Sequence, residues 1–417
     1  MCFTKLRTDR LPPKKMGNDH SKKKSGEFSE AEKSHVESSS GNPQLDAYFS
    51  RISDGKDAVS AEKLISLFDT DLAESLLKYF AGSKTEKFIT REQFQTKFTP
   101  LYGTSMDIYV RILQPVHHFI KVCSDSAGAS AIQGDEEFIS NLVKDMTNGK
   151  KGEEATQEII RWRRDNCEKF TLAAQNRVVS AVTGTKIPNP DYSSDILTPL
   201  QMWYVQSCLP NFYFPAKPIE TPGAGHWTPL YTSLQHGIST NRFETLVFDY
   251  RGPTVTVFRL KDRRVVVLAS DHEWRHSGTR FGGPLTSFFE IHPTLKRIDE
   301  ANSIYCNLKL RTMAYGISFK TTELKIGKDF DEVLDIEVWG CAGQGTLAEQ
   351  QKLKNWQKQQ AEKHKKVPLP GNWDDNPDKT LLEMAGFQFS NERAAMEMEA
   401  KKREEEQSQS EKSQSEK

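Results

Sequence analysis

The sequence predicts an α+β fold in three stretches: helices, then an antiparallel sheet, then a charged helix. Between Leu45 and about Phe214 apolar residues recur at helical spacing, as in Leu72, Leu76 and Phe80. From Thr254 to Trp339 β-branched and aromatic runs follow one another across short turns, the pattern of an antiparallel sheet or sandwich. Beyond Gly345 the chain becomes charged and helical again, with few apolar positions.

In chain order, residues 1–43 are rich in Lys, Ser and Glu and bury too little to offset the entropy of ordering, so a disordered basic tail is expected. Residues 44–214 are the helical region. Thr90-Arg91-Glu92-Gln93 is a capping box, and Phe94 and Phe98 follow one turn apart. Further helices are expected over 106–123, kinked or divided by Pro115, over 136–146 and over 154–181. A short buried helix is expected over 200–209, ended by Pro210. Residues 215–225 are a Pro/Gly-rich linker, and residues 226–342 hold the sheet. There, 254–260 and 265–269 form a β-hairpin, with more strands over 287–291, 304–310, 315–319 and 334–339. Residues 343–404 are a C-terminal helical extension. Its first part, 347–366, is mostly polar, with Leu353 and Trp356 as its few apolar points. After a Pro/Gly break over 367–376, Asn376 and Pro377 supply an N-cap and a first-turn proline. Behind them sits the cluster Leu381, Leu382, Met384, Ala385, Phe387 and Phe389, and residues 405–417 form a second disordered tail.

Lysine plus arginine (57) equals aspartate plus glutamate (57) over 417 residues, which argues against a general nucleic-acid binder. The six cysteines are scattered without a C-x-x-C pair, which reads as free thiols in a reducing compartment. No apolar run approaches the ~20 residues of a membrane-spanning helix.

Two loops resemble EF-hands. With Val59 and Ile89 at their central apolar positions, the closing residues are Lys63 and Gln93, neither able to chelate calcium bidentately. A metal-free EF-hand-like scaffold is expected. His272-Glu273-Trp274-Arg275-His276 satisfies the zinc-protease pattern H-E-x-x-H, which needs a helix to align its two histidines. Here a β-branched run precedes it, Ser277 and Gly278 follow, and Gly282 stands where a longer form of the motif needs a third ligand. The expectation is a strand-to-loop transition, with no metal ligand and no catalytic residue. A zinc hydrolase and a redox catalyst using Cys306 or Cys341 are the enzymatic alternatives, although Cys306 reads as a buried packing residue.

Met16-Gly17-Asn18-Asp19-His20-Ser21 fits the N-myristoylation signal, and Lys22, Lys23 and Lys24 follow at once. One acyl chain binds membranes only marginally, and adjacent lysines would add attraction to an anionic membrane surface. Covalent myristate on Gly17 requires translation to start at Met16; a start at Met1 buries the signal. No other cofactor is expected.

Residues 226–341 resemble the TLDc domain. The resemblance rests on Trp227-Thr228-Pro229-Leu230-Tyr231-Thr232-Ser233, Arg242-Phe243-Glu244-Thr245-Leu246 and Gly252-Pro253-Thr254-Val255. It continues through Phe281-Gly282, Ser287-Phe288-Phe289, Tyr305 and Tyr315-Gly316-Ile317, and closes on Ile336-Glu337-Val338-Trp339-Gly340. Ala269, Ser270 and Trp274 echo the A-S-x-x-W pattern that follows the second hairpin strand in the family, with one extra residue between. With the N-terminal Met-Gly-Asn, the EF-hand-like region and the charged C-terminal helix, the chain is similar to the myristoylated, lysosome-associated branch of TLDc proteins. The resemblance implies a β-sandwich flanked by helices, without established catalytic residues. It implies a membrane-anchored adaptor at the cytoplasmic face of lysosomal or other membranes, the plasma membrane among them, with a cytosolic pool. It implies binding to the vacuolar proton ATPase and a part in target-of-rapamycin or insulin-like (dauer and lifespan) signalling. Leu381, Leu382, Phe387 and Phe389 could match the pump-contacting helix of that branch. An oxidative-stress-protective TLDc protein is the alternative within the family.

Overall fold

The computed structural model describes residues 43–60, 63–64, 66–68, 70–81, 88–187, 192–215, 227–365, 377–386, 396 and 398–403. Of the two tails expected to be disordered, residues 1–42 and 405–417 lie outside these residues, while Pro43 opens the first helix.

The helical region opens with the helices Pro43–Ile52, Thr70–Ala81 and Arg91–Tyr102 and two short strands, β1 (Ala58–Ser60) and β2 (Phe88–Thr90). β1 and β2 pair antiparallel with Val59 opposite Ile89, the join that links two EF-hand loops. Lys63 meets Asp54 at 2.6 Å, so a cation stands at the end of the first loop. The capping box closes as its residue types require: Gln93 N donates to Thr90 Oγ1 at 3.3 Å and Thr90 N to Gln93 Oε1 at 3.0 Å. One turn on, the Phe94 and Phe98 rings stack 4.7 Å apart and Phe80 lies 5.9 and 6.0 Å from them.

Pro115 divides the next stretch into Asp107–Ile112 and Val116–Ala127, since it cannot continue the helical hydrogen-bond ladder. Glu136–Thr147 follows as read. The single helix expected over 154–181 is two, Gly152–Asn166 and Leu172–Thr183. The break has a packing cause. Phe170 turns into the core, 4.7 Å from Trp203, 5.2 Å from Phe119 and 5.6 Å from Trp162, and Arg163 donates to the Glu168 carbonyl at 3.1 Å. Pro199–Cys208 closes the region, capped by Thr198 and Gln201.

The sandwich has a six-stranded antiparallel sheet in the order β3-β11-β4-β5-β6-β7. Its strands are β3 (Thr228–Thr232), β4 (Thr254–Leu260), β5 (Val265–Ser270), β6 (Ser287–His292), β7 (Lys296–Asp299) and β11 (Val333–Gly340). A three-stranded sheet in the order β10-β9-β8 faces it, built from β8 (Ile304–Asn307), β9 (Gly316–Phe319) and β10 (Lys325–Ile326). Strand alternation sends the large sheet's side chains to two cores. Phe258, Leu260, Val266, Leu268, Phe288, Ile336 and Val338 pack toward Cys306, Ile317, Phe319 and Ile326 of the small sheet. Val255, Val257, Val267, Ala269, Phe289 and Ile291 belong to the core of the helical region instead. Tyr204 of Pro199–Cys208 bridges to that face, its ring 6.5 Å from Phe289 and 5.5 Å from Phe138. The molecule is therefore three layers, helices on sheet on sheet, an α+β arrangement.

Four strand readings in the sandwich change, the short β10 (Lys325–Ile326) being one that was not expected. The strand expected over 304–310 ends at Asn307, whose side chain turns back to bond the following loop. β3 and β7 were not expected; both are edge strands, protected by Pro229 and by the charged run Lys296-Arg297-Ile298-Asp299.

Candidate functional site

The loop after β5 answers the zinc pattern with geometry. Residues 272–276 have no helical turn. Asp271 anchors the segment: its carboxylate accepts from Gly283 N at 2.6 Å, Leu285 N at 3.1 Å and Thr286 Oγ1 at 2.8 Å. The fit is tight, because a Cβ on Gly283 would sit 2.4 Å from Asp271 Oδ2. Trp274 is buried in the sandwich core and donates through Nε1 to Thr254 Oγ1 at 3.0 Å. His276 Nδ1 accepts the Leu308 N–H at 3.2 Å, which leaves its proton on Nε2, 3.4 Å from Glu244 Oε2. His272 is half-exposed and lies beside Asp271. The two histidines thus serve different partners, and among the described residues no three His, Cys, Asp or Glu side chains gather as a metal set.

Cys306 is fully buried on β8 and Cys341 on the residue after β11, and desolvation pushes both thiols well above their ordinary range. That disfavours the thiolate on which nucleophilic and redox chemistry depends.

Of the residues expected to bind a partner or a membrane, Gly17, Lys22, Lys23, Lys24, Phe387 and Phe389 lie outside the described residues. Leu381 and Leu382 fall on the helix Pro377–Met384. They are 64% and 38% exposed, with Met384 at 83%, and none of the three belongs to either core. The helix before them, Gln344–Lys365, is fastened to the sandwich by one face. Leu347 packs on the sandwich core, the buried Gln350 donates to the carbonyls of Leu246 (3.2 Å) and Phe248 (3.0 Å), and Lys354 donates to the Thr245 carbonyl. These side chains satisfy further carbonyls at the C-terminal end of the helix Thr240–Val247, where the Phe248 N–H already bonds the Glu244 carbonyl. Further along, Trp356 is exposed. Sequence reading passed over Gln350 and Lys354; their i, i+3, i+7 spacing from Leu347 was the available signal.

A six-stranded sheet faced by three strands, with its last strand inserted beside its first and a helix clasped behind it, defines a TLDc-type sandwich. Residues 190–354 match the family model of the TLDc domain, and the chain contains that domain. The match starts ahead of residue 226 and takes in Ser194, whose hydroxyl donates to Glu337 Oε2 at 2.6 Å. The relatives found are fungal proteins named restriction of telomere capping protein 5. That of Leptosphaeria maculans is 23% identical over 41% of this chain and 42% of its own. That of Pyrenophora tritici-repentis is 35% identical over 38% of this chain and 40% of its own. The chain spans less than half the length of these two relatives.

Proposed function

We propose that this protein is a non-enzymatic adaptor that works by location and grip. Myristate on Gly17, with Lys22, Lys23 and Lys24, holds it on the cytoplasmic face of a lysosomal or other membrane. The TLDc sandwich and the C-terminal helix bind the vacuolar proton ATPase, in the service of target-of-rapamycin signalling. One observation carries the docking half of this reading: Leu381, Leu382 and Met384 stand in solvent on a helix outside both cores, past a helix that is itself clasped. Exposed apolar groups clustered on one element favour a partner. The telomere-capping role in the relatives' name belongs to those longer proteins and is not carried over.

The test is the double substitution Leu381→Asp/Leu382→Asp in the full chain. Capture of the vacuolar pump from solubilised membranes should fall at least tenfold while the melting temperature stays put. Undiminished capture would end the docking proposal. Intact mass of the cellular protein tests the anchor separately, the expected species being a chain that begins at Gly17 and carries a myristoyl group.

A further inference from the structure

The turn between β8 and β9 is built to hold apolar side chains in water. Asn307 is buried at its root, and its Nδ2 donates to the carbonyls of Leu310 (2.9 Å) and Ala314 (3.0 Å). Its Oδ1 accepts from Leu310 N at 2.8 Å, and Tyr305 donates its hydroxyl proton to the Ala314 carbonyl at 2.5 Å. The loop's backbone is thus tied from inside. Yet Leu310, Met313 and Tyr315 are 40%, 42% and 42% exposed. They form the densest group of exposed large apolar residues among the described residues of the sandwich.

Within the turn itself the charges have one sign, while the neighbouring segments carry both, Glu244 lying against His276 and Glu332 bonding Gly327 N. Residues 307–315 carry Lys309 and Arg311 and no acidic residue. Lys328 lies over the Tyr315 ring at 5.0 Å. The loop after β5 packs alongside: a Cβ on Gly278 would fall 2.3 Å from Met313 Sδ, and His276 takes the Leu308 N–H. That second loop adds Arg275, which lies over the Phe281 ring at 5.1 Å, and Glu273, whereas Arg280 is bonded to Ser303 and Ser318 at the far end of the hairpin. Asp329 and Asp331 follow Lys328. Protruding Leu, Met and Tyr among lysines and arginines match an anionic bilayer, where apolar tips enter the interface and cations meet lipid phosphates and carboxylates.

We infer that the 308–315 turn is a direct membrane-contact surface of the sandwich, its ligand an anionic phospholipid bilayer. This surface is separate from the acyl anchor and needs neither Gly17 nor the vacuolar pump. Co-sedimentation of the full, unacylated chain that begins at Met1 tests it, with vesicles of phosphatidylcholine alone or with 30% (about one lipid in three) phosphatidylserine. The chain should sediment with the anionic vesicles only. Lys309→Ser/Arg311→Ser should weaken binding by about tenfold or more, since each cation near the surface is worth about fivefold. Leu310→Ser/Met313→Ser should weaken it further at high salt, where charge is screened. The charge variant should melt with the parent and the apolar variant slightly below it, both cooperatively, since Leu310 and Met313 are part-covered. The inference fails if the parent ignores anionic vesicles, or if both variants bind as the parent does. It fails also if Lys22→Ser/Lys23→Ser/Lys24→Ser alone abolishes sedimentation. If the variants lose only self-association in sedimentation velocity, the turn joins copies of this chain and the lipid assignment is wrong.

Discussion

At the scale of single residues, two carboxylates hold the sandwich together in opposite ways. Asp271 is an acceptor for three donors of the 283–286 turn. Asp271→Ala should cost about 2–4 kcal/mol in urea unfolding, because two backbone N–H groups and a hydroxyl lose a charged partner. Asp271→Asn, which keeps the shape, should recover part of it. Glu337 is buried on the helical face of β11, taking hydrogen bonds from Ser194 Oγ and Asp195 N, both at 2.6 Å. Desolvation raises its pKa above the ordinary 4.5, outweighing those bonds, and the Asp195 charge adds to the rise. The folded chain therefore holds this proton more tightly than the unfolded chain. Its contribution to stability is complete below 4.5 and is lost as pH rises through the folded pKa. Glu337→Gln removes that titration. Urea melts across a pH series should show the variant gaining on the parent as pH climbs above 4.5, then a constant difference. A difference flat across that window would contradict the assignment.

At the scale of elements, what was legible in the sequence was local, and what was missed was tertiary. The Thr90 capping box, the break at Pro115 and the central loop positions of Val59 and Ile89 each depend on residues close in the chain or on a fixed loop pattern. The end of Gly152–Asn166 could not be read, because nothing in Cys167-Glu168-Lys169-Phe170 breaks a helix; the aromatic pocket that captures Phe170 does. β3 and β7 were hidden by the proline and charges that protect sheet edges. Among the site residues, only Leu381 and Leu382 fall where their surroundings are described, and both are exposed. The clasp itself is testable. Gln350→Ala/Lys354→Ala should free residues 344–354, seen as faster amide hydrogen exchange there. The cost should be about 1–3 kcal/mol, from unpaired carbonyls at the end of Thr240–Val247. Exchange unchanged over that stretch would show that Leu347 alone suffices.

At the scale of the whole molecule, the six-stranded sheet belongs to two cores at once. One face is covered by the small sheet, with the helix Thr240–Val247, Trp274 and Leu347 beside it, and the other by the helical region. A fragment of residues 226–342 would present Val255, Val257, Val267, Phe289 and Ile291 to water. It should bind a dye that reports exposed apolar surface and melt well below the full chain, whereas one starting at residue 116 should do neither to the same degree. The strand order has a further consequence, in time instead of space. β3 is the first strand of this sheet to leave the ribosome, yet β11 is its only neighbour in the sheet, and β11 is the last strand among the described residues. Until then β3 and the outer flank of β4 have no strand to pair with, an interval in which a nascent chain invites intermolecular pairing. Pro229 withholds one amide hydrogen from that exposed ribbon, so the proline that obscured β3 from sequence reading also guards the unfinished protein during its synthesis.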